Sequence, residues 1–161
     1  KLRLAQTMVL TLPGAPVLYY GDEIGQPGAR DPDNRRPMRF GGELRHDERE
    51  SLDYIRQLGR LRACAPALRH GSVDFPHAGP ESLSLVRFEN EMDWVWVVVQ
   101  RASSQHQHRA PMLTYGWDGR VVDLLSGETF EVIDGILSNW HIEPYTARVM
   151  LPEGHPCLDT L

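Results

Sequence analysis

The sequence predicts an α/β unit followed by an all-β unit. Two segments in the first half carry apolar side chains at the spacing of an amphipathic helix, and a short continuous apolar run lies between them. From Ser72 onward the pattern changes to short β-rich runs separated by turn residues. Because helices and a buried strand come first and regular short strands follow, we expect the two halves to differ in architecture.

The first helix is predicted over residues 1–11, where apolar side chains recur every three or four positions. These side chains are Leu4, Ala5, Met8, Val9 and Leu12. The second helix is predicted from Asp47 to about Leu68, with its end near Pro66 because proline interrupts helical hydrogen bonding. Its apolar stripe consists of Leu52, Ile55, Leu58, Leu61 and Ala65.

A short strand and a long polar loop are predicted between the helices. Val17–Tyr20 is apolar and aromatic without alternation, which is typical of a strand that is covered on both faces in a parallel sheet. The next twenty residues are rich in Gly, Pro, Asp, Asn and Arg. In α/β barrels, loops at the carboxyl ends of strands bind ligands.

The second half predicts an antiparallel sandwich. Asp134 and Gly135 between two apolar runs indicate a hairpin, since a type I′ turn requires positive φ at both central positions. Trp94–Val99 is apolar throughout and predicts a central strand that is buried on both faces. The predicted strands are Ser82–Phe88, Trp94–Val99, Pro111–Tyr115, Arg120–Leu124, Glu128–Ile133 and Tyr145–Leu151.

Composition excludes some functions. A net charge of -5 argues against a general nucleic-acid binder, and no apolar run approaches the length of a bilayer span. The first residues lack the pattern of a secretory signal. We expect that the chain starts inside a longer protein, so no localisation is predicted. Two cysteines do not make a disulfide framework, and Cys64 is interpreted as a small core residue of the second helix.

The segment Pro-Gly-Ala-Pro-Val-Leu-Tyr-Tyr-Gly-Asp-Glu-Ile-Gly, residues 13–25, resembles the eighth barrel strand of the α-amylase family of glycoside hydrolases. Asp-Pro-Asp-Asn-Arg-Arg-Pro-Met, residues 31–38, resembles the following loop in the neopullulanase, cyclomaltodextrinase and maltogenic amylase branch. The resemblance implies that residues 1–71 are the last piece of a (β/α)8 barrel: helix seven, strand eight and helix eight. It implies that residues 72–161 are the β-sandwich C-terminal domain.

No catalytic residue is predicted in this chain. Retaining glycoside hydrolysis requires two carboxyl groups roughly 5 Å apart across the scissile bond. Asp22 and Glu23 are adjacent, and neighbours at a strand end point to opposite faces, so they cannot both address one bond. The resemblance implies that the nucleophilic Asp, the acid/base Glu and a third Asp lie upstream of Lys1. No cofactor and no metal-binding residue are predicted for this chain.

Substrate contact is the chemistry that remains. Asp31 can accept hydrogen bonds from two sugar hydroxyls, and the planar guanidinium of Arg35 offers several donors. The resemblance implies that these two side chains hold a glucose unit, and Tyr20 could stack on a sugar ring. The alternatives are a surface ion pair for Asp31 and Arg35 and a core position for Tyr20. We expect Asp33 and Arg36 to brace the loop.

Other side chains are weaker candidates. His106 and His108 would need further ligands to hold a metal, so a solvated loop is the favoured interpretation. Trp94 and Trp96 are expected in the core, whereas Trp117 and Trp140 are candidates for surface aromatic residues that stack on sugars.

The resemblance therefore implies the C-terminal part of a retaining α-glucan hydrolase that acts on maltodextrin, cyclodextrin or pullulan-like substrates. The chain alone is expected to be inactive. Two alternatives stay open: a structural or carbohydrate-binding module without catalysis, and a parent enzyme that is mainly a transglycosylase. The expected partners are an α-glucan oligosaccharide, the preceding part of the same enzyme and a second copy in a homodimer. Nucleic acid and membrane are not expected partners.

Overall fold

The computed structural model describes residues 1–104, 117–137 and 140–160, with only the backbone of Ile136. Three helices come first: α1 (Leu2–Thr11), α2 (His46–Cys64) and α3 (Pro66–Arg69). Seven strands follow: β1 (Ser72–Ala78), β2 (Ser82–Asn90), β3 (Asp93–Gln100), β4 (Gly119–Asp123), β5 (Thr129–Ile133), β6 (Ile136–Leu137) and β7 (Ala147–Pro152). Among these described residues, no helix is long and apolar enough to cross a bilayer.

Both predicted helices are confirmed, and the second is divided by a proline. Helix α2 ends at Cys64, and Pro66 opens the short helix α3. Between them Ala65 is extended, with φ -78° and ψ 112°, because a residue before proline is sterically driven out of the helical region. The chain therefore bends where the continuous helix was expected to end.

The predicted barrel strand at Val17–Tyr20 is not formed. These residues have no regular secondary structure, and their side chains are exposed, with Val17 at 80%. A parallel strand needs neighbours that satisfy its backbone groups, and every strand pair among the described residues is antiparallel and lies at Ser72 or later in the chain. This chain by itself therefore does not form the predicted strand, and the place of these residues in a barrel stays a prediction, whereas the flanking helices are confirmed.

The described strands form one antiparallel sheet in the order β1-β2-β3-β7-β4-β5-β6. Strand β3 pairs with β2 and β7, and it is buried along almost its whole length, as predicted. Strands β5 and β6 form the predicted hairpin, with φ of 51° at Asp134 and 69° at Gly135. The antiparallel β half is confirmed. All described strands are hydrogen-bonded into one sheet, so the predicted sandwich of two separate facing sheets stays a prediction.

Three strand predictions need comment. Strand β1 was missed, since it is largely exposed and contains Pro76, which is tolerated because β1 lies at the sheet edge. Strand β7 begins at Ala147 instead of Tyr145, because Tyr145 has a φ of 54° that leaves the extended region. The run Pro111–Tyr115 lies outside the described residues.

The sheet has a hydrophobic core on each face. On one face, alternate residues of the sheet such as Val95 and Val97 pack with Leu58 and Leu61 of α2. On the other face, Trp94, Trp96, Val98 and Met150 pack with residues of β4, β5 and β6. The helices therefore share a core with the sheet. A division at residue 71 stays a prediction, although it falls in the link between α3 and β1.

The two cysteines form a disulfide bond, which the sequence analysis did not predict, and Cys64 also packs against the core, as interpreted. Cys64 ends α2, Cys157 lies in the C-terminal segment, and 93 positions separate them. In the same segment His155 is buried, and its Nε2 lies 3.2 Å from Asp93 Oδ1 at the start of β3. The C-terminal segment is thus attached to both the helices and the sheet.

Candidate functional site

The polar loop after Tyr20 begins with a tight turn. Gly21 has a φ of 91°, which a residue with a side chain rarely adopts, and a Cβ there would lie 3.0 Å from Gln26 Cβ. The Gln26 backbone N–H donates to the Gly21 carbonyl at 2.8 Å, and the Gln26 side chain donates to the Arg36 carbonyl at 3.1 Å. The turn therefore places the two ends of the loop close together.

Asp31 and Arg35 form an ion pair on the outer side of this loop. Arg35 Nε lies 3.4 Å from Asp31 Oδ1, and the side chains are 71% and 64% exposed, respectively. The two residues are four positions apart in sequence, and the short 3₁₀ turn Asp33–Arg35 brings their side chains together. The structure thus brings together two of the three predicted substrate-contact residues, in a geometry that a surface ion pair would also show.

Tyr20 lies against the same turn. Its hydroxyl donates to the Asn34 carbonyl at 3.5 Å, and its side chain is exposed. Partial removal from water and the neighbouring Tyr19 raise the pKa of Tyr20, while the positive charge of Arg35 opposes that rise. In this chain the ring of Tyr20 is exposed, because the strand that would have buried it is not formed.

Asp33 and Arg36 brace the loop, as expected. Asp33 accepts hydrogen bonds from Arg36 Nε at 2.7 Å and from the Ala29 backbone N–H at 2.9 Å. The bond from Arg36, followed by the bond from Ala29, lowers the pKa of Asp33. This carboxylate fixes the loop conformation from inside, which leaves Asp31 and Arg35 as the outward-facing pair.

Asp22 and Glu23 do not form an acid/base pair. They lie in a 3₁₀ turn where each carboxylate accepts a backbone N–H: Asp22 from Tyr19 at 3.2 Å and Glu23 from Gly21 at 2.8 Å. Both groups stabilise the turn before the loop. Their local backbone contacts agree with the expectation that they cannot flank one glycosidic bond.

Glu48 was missed by the sequence analysis. It is buried in the first turn of α2, accepts the Arg45 backbone N–H at 2.9 Å, and pairs with Arg39 at the end of the loop. The Arg45 backbone bond, helped by the Arg39 guanidinium, lowers the pKa of Glu48 against the opposing effect of burial. A glutamate three positions after a helix N-cap is the signal that could have identified it.

The remaining candidates give no second site of the predicted kind. Trp140 is buried beside Trp96, with ring centroids 5.2 Å apart, and Trp117 packs edge-on against Trp94 at 5.1 Å. The expectation that Trp140 is a surface aromatic was therefore wrong. His106 and His108 lie outside the described residues, and within the described ranges no group of three metal-ligating side chains could hold an ion.

Comparison with known proteins connects this loop and sheet to enzymes of α-glucan metabolism. No protein-family model matches the chain. It is 34% identical over 132 residues to a cyclomaltodextrinase from Geobacillus thermopakistaniensis. The aligned residues cover 81% of this chain and 22% of the relative. It is 42% identical over 82 residues to neopullulanase 2 from Thermoactinomyces vulgaris. These aligned residues cover 51% of this chain and 14% of that relative.

The fold of the chain is also similar to that of a solved enzyme structure. An α-amylase structure from Anoxybacillus superimposes with a TM-score of 0.77 at 28% identity, over 94% of this chain and 32% of that one. The chain thus spans less than a third of the length of these relatives. By sequence and by fold, it belongs with the C-terminal part of the α-amylase family of glycoside hydrolases, in the branch of cyclomaltodextrinases, neopullulanases and maltogenic amylases.

Proposed function

We propose that this chain is the C-terminal part of a retaining α-glucan hydrolase that acts on maltodextrin, cyclodextrin or pullulan-like substrates. In this proposal residues 1–71 supply the last strand and two helices of a (β/α)8 barrel, and residues 72–161 form a β-sandwich. The relatives named above include a cyclomaltodextrinase and a neopullulanase, which supports this substrate class. The chain contributes a substrate-contact loop, and the catalytic carboxylates come from the preceding part of the enzyme.

The observation that carries the proposal is the exposed Asp31–Arg35 pair beside Tyr20 on a braced loop. An ion pair this exposed is worth at most about 1 kcal/mol, so sugar hydroxyls can replace its internal contact at little cost. Asp31 would then accept from hydroxyl groups and Arg35 would donate to oxygens, while the ring of Tyr20 offers an apolar face. Asp33 keeps the loop in place during this exchange.

In this proposal the preceding part of the enzyme binds at an exposed apolar surface beside the loop. Val17, Leu18, Tyr19 and Phe40 expose large apolar side chains around the same loop. Isolated exposed apolar residues are common, but a contiguous group of them is typical of a surface that another segment covers. We propose that the other barrel strands cover this surface in the complete enzyme, and that it can pair two copies when they are absent.

The test is substitution of the ion pair in the intact enzyme that contains this chain. Asp31→Ala or Arg35→Ala should weaken transition-state binding of short maltooligosaccharides by roughly 1 to 4 kcal/mol, measured as kcat/KM. The matched control is Arg120→Ala, since Arg120 forms an exposed ion pair with Glu153 at 3.1 Å on the sheet. Equal kcat/KM values for the loop variants and wild type would leave only the surface ion-pair interpretation.

A further inference from the structure

The substrate-contact loop has no apolar core of its own to hold it. From Gly25 to Glu43 no residue is buried, whereas Ile24 and Leu44 on either side of this segment are 2% and 6% exposed, respectively. Without buried apolar side chains, hydrogen bonds and anchored ends must limit the backbone freedom of the segment. The residues that anchor the two ends therefore decide how firmly the exposed ion pair is placed.

Gln6 of α1 anchors the first end. It is 3% exposed, and its side-chain amide donates to the Asp22 carbonyl at 2.9 Å and to Ser51 Oγ of α2 at 3.0 Å. A carbonyl oxygen can only accept a hydrogen bond, so the amide must present its Nε2 to Asp22. Gln6 thus connects the turn before the loop to both helices.

The other polar atom of this amide argues against a purely stabilising role. Gln6 Oε1 is buried and has no hydrogen-bond partner among the described residues. An unpaired buried oxygen costs stability, and a leucine of similar size would avoid that cost. The Asp22 carbonyl also accepts the Gly25 backbone N–H at 3.2 Å, so it would keep a partner without Gln6. Placement of the turn therefore accounts for a glutamine here better than stability does.

Glu48 of α2 anchors the second end through Arg39. The Glu48 side chain is 1% exposed and forms an ion pair with Arg39, whose side chain is 33% exposed. The neighbouring Arg49 donates from Nε to the Leu44 carbonyl at 3.0 Å. Glu48 and Ser51 are three positions apart in a helix, so they lie on the same face of α2. One face of α2 thus holds contacts to both ends of the loop.

We propose that Gln6, Arg39 and Glu48 are positioning residues for the Asp31–Arg35 pair. They fix the two ends of the loop on α2, so the loop binds a glucose unit without first becoming ordered. Because the ordering of a loop on binding weakens affinity, this arrangement lowers KM and leaves the chemical step unchanged. The assignment rests on the proposed function of the loop.

Kinetics of the intact enzyme with maltotriose test the positioning role. Gln6→Leu and Arg39→Met should each raise KM about three- to tenfold and change kcat by less than about twofold. Arg39→Lys should restore a KM within about twofold of wild type, since a single contact with Glu48 needs only one cationic donor. The matched control is Arg3→Met, because Arg3 also pairs with a glutamate of α2, Glu50 at 3.2 Å, outside the loop. This control should keep the wild-type KM.

Two further measurements on the same enzyme separate loop order from general stability. Trypsin should cleave after Arg30 severalfold faster in Gln6→Leu and Arg39→Met than in wild type, because the loop opens more often. The thermal unfolding midpoint of these variants should lie within about 3 °C of that of wild type. A merely structural role would lower this midpoint and leave KM at the wild-type value.

The outcomes distinguish this inference from the proposed function. A higher KM in Gln6→Leu and Arg39→Met, with a wild-type KM in Arg3→Met, supports the positioning role. A wild-type KM in Gln6→Leu and Arg39→Met, while Asp31→Ala lowers kcat/KM, overturns positioning and leaves the proposed function intact. An equal rise of KM in Arg3→Met also overturns positioning. A wild-type kcat/KM in Asp31→Ala overturns the proposed function and this inference with it.

Discussion

Arg87 of strand β2 donates a 3.0 Å hydrogen bond to the carbonyl oxygen of Thr11, the last residue of α1, across 76 positions of sequence. The same buried guanidinium also donates to the carbonyls of Leu68 at 3.1 Å and Gly71 at 2.9 Å. A helix carries partial negative charge at its carboxyl end, so α1 and α3 provide the counter-charge for this cation. Arg87 thus joins both helices to the sheet.

Arg62 of α2 also donates hydrogen bonds to several backbone carbonyls. It donates to the carbonyls of Leu10 at 2.9 Å and Leu12 at 3.2 Å, and to that of Gly14. Burial lowers the pKa of both arginines, and in Arg87 the nearby charge of Arg62 adds to the effect. Among the described residues neither arginine has a carboxylate within ion-pair distance, so backbone carbonyls alone balance the two charges.

Arg87→Met is expected to lower the free energy of unfolding by about 2 to 4 kcal/mol, because several buried carbonyls lose a charged donor. Urea denaturation followed by circular dichroism measures the change. Arg69→Met is the matched control, since Arg69 is exposed at the end of α3 and should change stability by less than about 0.5 kcal/mol. Equal losses in the two variants would show that the buried hydrogen bonds do not stabilise the fold.

Removal of the Cys64–Cys157 disulfide by Cys64→Ser and Cys157→Ser should be strongly destabilising. Closure of a 93-residue loop in the unfolded chain accounts for about 4 to 5 kcal/mol in the chain-entropy model, and measured losses are often smaller. Denaturant unfolding with and without reductant gives the value. Reductant should lower the stability of wild type to that of the double variant and leave the variant unchanged. A stability of wild type that is insensitive to full reduction would contradict this prediction.

The lowered pKa of Glu48 predicts that the fold loses stability in acid. Its folded pKa lies below the ordinary value of 4.5, so its contribution is complete above that value and is lost as the pH falls through the lower folded pKa. Glu48→Gln should therefore be less stable than wild type at neutral pH, and the difference should shrink as the pH falls below the ordinary pKa of a glutamate. Glu91→Gln, at an exposed position, is the matched control and should change stability at neutral pH by less than about 0.5 kcal/mol. A pH-independent difference for Glu48→Gln would contradict the ionic role.

The purified chain should not hydrolyse starch, pullulan or β-cyclodextrin. Asp22 and Glu23 are both held by backbone N–H groups, and removal of a catalytic pair costs many orders of magnitude in rate. Reducing-sugar release after long incubation is the measurement, with the intact enzyme as the positive control. Turnover at a rate typical of enzymes, abolished by Asp22→Asn or Glu23→Gln, would place catalytic residues within this chain.

Local patterns predicted those elements whose stability depends on their own periodicity. The stripe Leu52 to Ala65, the apolar run of β3 and the Asp134–Gly135 turn all form as expected, because side-chain spacing and turn geometry act over a few residues. The pairing of Asp33 with Arg36 is of the same kind, since only three positions separate them. The ring of Tyr20 was harder to place, because its exposure depends on strands that this chain does not supply.

The sequence by itself determined the order of helices and strands, the polar loop with Asp31 and Arg35, and the relation to α-glucan enzymes. Tertiary structure alone decided that Val17–Tyr20 forms no strand, that Cys64 pairs with Cys157, and that the helices share a core with the sheet. These outcomes depend on which distant segments are available as partners. Hydrogen-bond pairing and disulfide geometry join residues tens of positions apart, and periodicity within one segment carries no information about its partner.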